Sequence, residues 1–505
     1  MMGPKSGDSL IQAYWSELDL DLDFARKIIP LGECWEFSRG KNNQITDSRR
    51  RLRLACQAFF YHFERICHYD SVKNRPWLGI EKWEALVFSQ KAIPDRKYFQ
   101  DRFKQCLQDV RSYALGLAMN SFLSVFSDPH TYLVPSRYFR EVLIARNKRV
   151  NRFALSIRRN RNLNWVVSHL TNPRVIADLK PRIGDRVLTI NHMPILDMNP
   201  KEVQELFFLN QPIKLALERD GRPFSVTLFP QSEPRSVSVQ TKYSSIGVLR
   251  VEKFQEKTCL DVERALQGLK NRGISRLVLD LRDNPGGSFT EALCVMDHFL
   301  APKKLMLFTL SLDGTQLSPY YSIHPQLYSG DLLILINDFS ASAAEIVAGG
   351  LQALGRALVV GRGSFGKGTF QDGVEINAPR GKLLFFETKG YYLFADKKTP
   401  QLKGVVPNFE LPCSYCDDFL KERDLFLFPI GIPSFMTLVS STSQARESNP
   451  TKLNTVLSSR FRQEQCLGLT KSQTMEEEES DEGLNKALQH FACLGEQKEW
   501  GVAGQ

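Results

Sequence analysis

Three short segments of the chain combine residue types that could carry out acyl transfer on an amide. The first, DLRDNPGG, runs from Asp280 to Gly287. Its two closing glycines let a backbone N–H face a substrate with no side chain in the way. The second, NDFSASAAE (337–345), puts Ser342 just before a run rich in Ala and Gly. A serine at a helix N-terminus has backbone N–H groups and the positive end of the helix dipole beside it, which suits a developing oxyanion. Serine is also a good helix N-cap, so position alone leaves both roles open. The third, GRGSFGKGTFQ (361–371), flanks Lys367 with glycines. A phosphate-binding loop of the GxxxxGK[ST] type needs Ser or Thr directly after the lysine, and Gly368 stands there instead. The other use is a lysine held in a dry turn, where desolvation disfavours the ammonium and makes the neutral amine accessible as a base. A serine paired with such a lysine can attack an amide without histidine.

Chemistry of this kind needs rigid elements beneath it. SRLVLDL leads into the first segment, LLILIN into the second and ALVVG into the third, with TCLDVERALQGLKNRG and AAEIVAGGLQALG reading as intervening helices. IGVLRVEKF supplies a further strand ahead of them. Continuous apolar strands alternating with helices predict an α/β sheet covered on both faces, with ligands gathering outside the carboxyl ends of its strands. From about 150 to 232 the texture changes to short strands: RFALSI and NWVVSHL around the basic turn RRNRNLN, then RVLTIN, IKLALER and FSVTLFP, the last two separated by the hairpin signal Asp220-Gly221. NPKEVQELFF reads as a short helix with Asn199 as N-cap and Pro200 at its first position. Together they predict a small β-rich binding module. The first hundred or so residues read as helical, with RRRLRLACQAFFYHFERICHYD amphipathic and SYALGLAMNSFLSVF stopping before Pro129. Beyond Pro412 the pattern dissolves, and EEEESDE (476–482) reads as a solvated acidic segment.

A length of 505 residues suggests about three domains. Lys and Arg outnumber Asp and Glu by 66 to 56, a net +10, but no base-reading module accompanies the charge, so no nucleic-acid partner is expected. The ten cysteines follow no repeating interval, and Cys413 and Cys416, as the lone CxxC, lack the second pair that a zinc site requires. Reduced, buried thiols are expected, with no metal or cofactor. The N-terminus lacks the apolar run of a secretory signal, and no later stretch is long enough to span a bilayer. The chain is therefore expected to be soluble and, by default, cytoplasmic.

Taken together and in order, the three segments resemble the carboxyl-terminal processing, or tail-specific, peptidases, whose pattern is DLRxNxGG, then SASASE, then GRAxVVGxxTFGKGxxQ. This chain reads DLRDNPGG, SASAAE and GRALVVGRGSFGKGTFQ. The resemblance implies that Ser342 is the nucleophile, that Lys367, twenty-five residues on, is its general base, and that Gln371 orients the lysine. It implies an oxyanion hole at the N–H groups of Gly287 and Ala343. It extends to IGVLRVEKF, SDPHTYL and KGVVPNFEL, covering about Ser112 to Pro412, and more loosely to the family's PDZ domain through KPRIGDRVLTINHMPI and LALERDGRPFSVTL. The implied architecture is α/β: a crotonase-like βα core with an inserted PDZ-like module and a helical N-terminal region. The expected boundaries are a helical region at 1–111, the first part of the core at 112–149, a PDZ-like domain at 150–232, the catalytic core at 236–412 and a C-terminal extension at 413–505. The implied activity is a serine endopeptidase acting on unfolded or C-terminal segments of protein substrates, in a family commonly exported to periplasm, cell envelope or plastid lumen.

The chain departs from the family pattern in two places. Ala344 replaces the third serine, which is not the nucleophile. Where the PDZ domain has a glycine-rich carboxylate-binding loop, this chain has Phe153, Ala154 and Leu155, with Arg152 beside them, so these four are the candidate substrate-binding residues of a module that reads C-termini less strictly. Two other readings stand beside the dyad. His130 in DPHT could act as the base, and the chain could be an inactive PDZ-containing peptide-binding scaffold, which would have no need of Ser342, Lys367 and Gln371 together.

Overall fold

The computed structural model describes residues 15–38, 47–69, 96–137 except 107 and 129, 155–170 except 161 and 163, 181–195, 212–229, 237–242, 246–411 and 421–425, with 139, 203, 484 and 488. They form a mixed α/β chain of two compact units. The first comprises Met1–Glu233, Gln371–Lys389 and Phe426–Ile430, and the second Pro234–Phe370, Gly390–Leu425 and Gly431–Gln505.

In the first unit, helices Leu22–Ile28, Leu31–Ser38, Asp47–Tyr69, Arg96–Gln105 and Gln108–Phe126 pack around an aromatic core. The three- and four-residue spacing of Leu52, Cys56, Phe59, Phe60 and Phe63 puts all five on the buried side of one helix, as its amphipathic pattern predicts. Phe99 meets Phe60 and Phe63 edge-on, each at 4.9 Å between ring centroids, a geometry that aligns positive ring edges with negative faces. The helix Gln108–Phe126 ends ahead of Pro129, as expected. Strand Tyr132–Pro135 runs antiparallel to residues Leu383–Phe386.

The same unit holds an antiparallel sheet in the order Leu155–Arg159, Trp165–Leu170, Arg186–Ile190, Ile213–Arg219, Arg222–Leu228. Every strand read from the alternating pattern between 150 and 232 is present. The Asp220-Gly221 turn has φ of 50° and 74°, the pair of positive values that matches a two-residue turn to strand twist. Leu155, Val167, Val187, Leu215, Leu217 and Val226 point to one buried face. Of the expected helix over NPKEVQELFF only Val203 lies within the described residues.

The second unit contains a six-stranded sheet in the order Phe409–Glu410, Leu358–Gly361, Asp331–Ile336, Arg276–Asp280, Ile246–Val251, Val237–Lys242. All neighbours are parallel except the last pair. Period-two alternation sorts its apolar side chains. Leu249, Val251, Leu277, Leu279, Ile334, Ile336 and Val359 face helices Thr258–Asn271, Phe289–Asp297 and Ala343–Ala353. Ile246, Val248, Val278, Leu333, Leu335 and Val360 face the other way, toward Leu411 and Leu488. Burial on both faces is what makes these strands read as unbroken apolar runs. Strand Leu305–Ser311 pairs with Leu317–Tyr321 on one side and Gly390–Phe394 on the other.

The cysteines overturn the expectation of reduced thiols. Cys34 is bonded to Cys56, Cys67 to Cys106 and Cys259 to Cys294, leaving no free cysteine among the described residues. The partners lie 22, 39 and 35 residues apart, so only helix packing brings them together and their spacing carries no signal. Cys413 and Cys416 lie outside the described residues. Among the described residues no helix is long and apolar enough to cross a membrane. Replacing Cys34 and Cys56 together by alanine removes a crosslink closing a 22-residue separation, and should lower stability by about 2–4 kcal/mol. Denaturant unfolding followed by circular dichroism checks this, and an unchanged midpoint would contradict it.

Candidate active site

The three chemistry-bearing segments leave the carboxyl ends of three adjacent parallel strands, those ending at Asp280, Ile336 and Gly361. The first is anchored at once by buried charge. Asp280 accepts from Arg282 Nε at 2.9 Å and from Arg250 at 2.8 Å. Burial alone would raise its pKa, but the two guanidiniums outweigh that and hold the carboxyl well below its usual range. Asn284, fully buried, donates to the Val251 carbonyl and accepts from Gly286 N–H, both at 2.8 Å.

The second segment is tied to the first. Asn337 and Asp283 exchange hydrogen bonds, Asp283 N–H to Asn337 Oδ1 at 2.9 Å and Asn337 Nδ2 to Asp283 Oδ1 at 3.0 Å. Ser340 donates to the Leu281 carbonyl at 2.8 Å and is fully buried, so the first serine of SASAAE is spent on structure. Gly286 has φ of 93°, and a Cβ there would lie 2.7 Å from the Ala341 carbonyl oxygen and 2.8 Å from both Ala343 N and Ser342 Cβ. Only glycine permits this approach, and it sets the Gly286-Gly287 backbone beside the Ala343 N–H. Among the described residues, neither the Gly287 nor the Ala343 N–H has a hydrogen-bond acceptor.

Ser342 is half-buried at the N-terminus of the helix Ala343–Ala353, with φ 53° and ψ −115°. A positive φ on a residue with a side chain costs on the order of 1–3 kcal/mol and must be held by its surroundings. Glu345, fully buried, does much of this holding. Its Oε2 accepts from Ser342 N–H at 2.8 Å and from Lys367 N–H at 2.9 Å, and its Oε1 from Gly366 N–H at 2.8 Å and Ser364 Oγ at 2.5 Å. The backbones of the serine and lysine turns thus share one oxygen atom. A second tie comes from the buried Tyr392 hydroxyl, which donates toward the carbonyls of Lys367 at 2.6 Å and Ser342 at 3.2 Å. Lys367 is half-buried, and its Nζ donates to the Thr369 carbonyl at 3.3 Å.

Burial pushes the Glu345 carboxyl up to about 7, while its four donors pull the other way. All four neighbours present hydrogens, so the ionised form fits and a protonated carboxyl sets an O–H against them. Burial also holds the Tyr392 phenol well above its ordinary value.

The structure thus brings Ser342, Lys367, Gly287 and Ala343 into one unit. Gln371 belongs to the other, where its Nε2 donates to Thr388 Oγ1 at 3.1 Å. His130 is also in that unit, its backbone N–H donating to Asp128 at 2.8 Å. Leu155 packs into the core of its own sheet and pairs with Leu170, while Arg152, Phe153 and Ala154 lie outside the described residues. Cys259, Cys294 and His298 converge as metal ligands would, yet the two sulfurs are bonded to each other. Glu345 was missed as a functional residue, although Ser-x-x-Glu before an apolar helix is a capping-box signal that could have found it. Tyr392 had no such signal, since it lies 50 residues from Ser342.

Residues 245–411 match peptidase family S41. The carboxyl-terminal-processing peptidase 3, chloroplastic, of Arabidopsis thaliana is 31% identical over 40% of this chain and 37% of its own length. The carboxy-terminal processing protease CtpA of Bacillus subtilis is 27% identical over 50% of this chain and 56% of its own. The chain therefore spans about a third to a half of these relatives. Among solved structures, the photosystem II D1 C-terminal processing protease is 19% identical, with a TM-score of 0.46 over 73% of this chain and 94% of that one.

The Glu345 geometry has consequences with a definite sign. Its folded pKa near 7 lies above the ordinary 4.5. The folded state therefore binds the extra proton between those values, and stability contributed by this group is lost as pH rises from about 4.5 through 7. Site order runs the opposite way, falling as pH drops below 7 and the carboxylate is protonated. Glu345→Gln turns an N–H2 toward two donors, so it should remove the stability slope and cost activity by about a hundredfold or more, since each charged hydrogen bond is worth ~1.5–3 kcal/mol. A variant of wild-type activity on a peptide substrate would refute the role.

Proposed function

From the peptidase family S41 domain at residues 245–411, we propose that the chain is a serine endopeptidase working through Ser342 and Lys367. One observation carries this reading: Ser342 and Lys367, on separate loops, hang their backbones from the same Glu345 oxygen. A serine used only as a helix cap has no need of a lysine turn fastened to its own anchor. Neutral Lys367 takes the proton from Ser342 Oγ as that oxygen attacks the amide carbon. The oxyanion is received by the N–H groups of Gly287 and Ala343, at the positive end of the helix dipole. The lysine then gives its proton to the departing amine, and water repeats the sequence on the acyl-enzyme. Gln371 orients the lysine.

The substrates are protein chains, cut in unfolded or C-terminal segments. The α/β core at 236–412 is crotonase-like, joined by the segment at 112–149, and the antiparallel sheet within 150–232 is a PDZ-like module that delivers substrate. With Phe153, Ala154 and Leu155 in place of a glycine-rich loop, that module reads the carboxylate loosely, and Arg152 supplies charge without a nest of amides.

Ser342→Ala and Lys367→Ala should each reduce hydrolysis of an unstructured peptide by several orders of magnitude, as loss of a triad member does. Full activity in Lys367→Ala would end the dyad. The rate should rise with pH through a value below the ~10.4 of an ordinary lysine, and His130→Ala should leave that limb in place. A profile that loses its ascending limb in that variant would move the base role to His130. Amidating the substrate C-terminus should cost less than about fivefold, below the ten- to hundredfold of a lost charged hydrogen bond. A loss above about thirtyfold would mean that tails are still read strictly.

A further inference from the structure

The family match stops at residue 411, yet residues 421–425, in the same compact unit as Ser342 and Lys367, bond to both of their loops. Lys421 Nζ donates to the Gly363 carbonyl at 2.9 Å and reaches Asp338 Oδ1 at 3.2 Å. Asp338 stands four residues before Ser342, and Gly363 four before Lys367. The next residue adds a backbone bond, Glu422 N–H to the Phe365 carbonyl at 3.2 Å. Phe365 N–H in turn donates to the Ser340 carbonyl at 3.0 Å, so Phe365 is bonded to the serine loop and to this segment. Asp424 holds the segment in its turn, its Oδ2 accepting from Lys421 N–H at 3.1 Å. Glu422 is 1% exposed and Asp338 4%, so the contact is packed interior.

An ammonium has three hydrogens and no acceptor. One Lys421 can therefore hold a carbonyl of the lysine loop and a carboxylate of the serine loop at once. Asp338 already accepts from Arg362 Nε at 2.7 Å on its other oxygen, a bond between two side chains. Lys421 adds a bond to the backbone of the lysine loop itself. Glu345 gathers the two loops at Ser342, Gly366 and Lys367. A single gathering point acts as a pivot, whereas a second one, four residues back on each loop, fixes direction as well as place. The side chains of Lys421 and Asp338 are 17% and 6% exposed, so salt screens this pair little.

We propose that Lys421, which lies beyond the family match, is a positioning residue that sets the spacing of the serine and lysine loops and so aligns the dyad. This rests on the reading of Ser342 and Lys367 as nucleophile and base. Lys421 touches neither reacting atom; it acts through Asp338 and Gly363.

Kinetics on an unstructured peptide, with the full chain, test this. Lys421→Met keeps most of the stem and leaves Asp338 paired with Arg362, so no buried charge is stranded. It should lower kcat by about ten- to thirtyfold with KM nearly unchanged, the scale of a slightly misplaced catalytic group. Lys421→Arg, which keeps the charge and the donors, should restore most of the rate. In an Asp338→Asn background, Lys421→Met should cost less than about twofold more, because both changes break the same bridge. Hydrogen exchange gives a readout that needs no catalysis: in Lys421→Met the amides of Phe365, Gly366 and Lys367 should exchange about tenfold faster, and that of Val278 unchanged. Unaltered kcat or exchange in Lys421→Met, losses that add in the double variant, or Lys421→Arg as slow as Lys421→Met would each overturn the proposal. If thermal melting shows Lys421→Met unfolded, Lys421→Gln, which keeps a polar end without the charge, decides by the same kcat criterion. A wild type that fails to hydrolyse peptides through Ser342 would remove the dyad reading and this role with it. A wild type that does so, with Lys421→Met equally fast, would remove this role alone.

Discussion

The side chain on which the site depends most is the carboxylate of Glu345. It is fully buried, and desolvation alone would make it a poor place for charge. What makes it tolerable is that four donors converge on its two oxygens, three of them backbone N–H groups. The dependence is mutual. The carboxylate needs the donors, and the turns carrying Ser342 and Lys367 need the carboxylate, because neither turn is regular enough to satisfy its own N–H groups. Removing one partner leaves buried polar atoms unpaired on the others, which is why such a network holds geometry more firmly than its separate bonds suggest.

Around this anchor, rigidity comes from packing, and close approach of the loops comes from glycine. The parallel strands are buried on both faces, so their carboxyl ends are fixed points from which the three loops depart. The loops then fold onto one another at distances that side chains would forbid. Gly286 meets the Ser342 turn, and Gly361, with φ of 118°, would place a Cβ against the Ile336 carbonyl. Buried ion pairs close the arrangement from below, with Asp280 between Arg250 and Arg282. Such pairs add little net stability, but breaking one leaves a buried charge uncompensated, so they enforce a single arrangement.

The first unit shows the contrast between periodic and non-periodic information. Its helix Asp47–Tyr69 and the hairpin at Asp220-Gly221 follow from patterns written in adjacent residues. Its disulfides and the Asp128–Thr388 pair do not, since the latter joins residues 260 positions apart. A buried carboxylate on a helix-stop segment and a threonine in the middle of a strand carry no mutual signature along the chain. The fold makes them neighbours.

The same division runs through the whole protein. Local physics was enough to mark the apolar strands leading to Asp280, Ile336 and Gly361, to end the helix before Pro129, and to single out Ser342, Lys367 and the glycines near them, because strand period, helix-stop chemistry and glycine-rich turns are properties of neighbouring residues. The role of Glu345 was written only as a capping box, with nothing to say that its second oxygen would reach across to Gly366 and Ser364. Tyr392, the Asp128–Thr388 pair and the three crosslinks were decided by tertiary structure alone. Each joins groups far apart in sequence at bonding distance, and such a coincidence arises only when packing has already fixed where the elements lie.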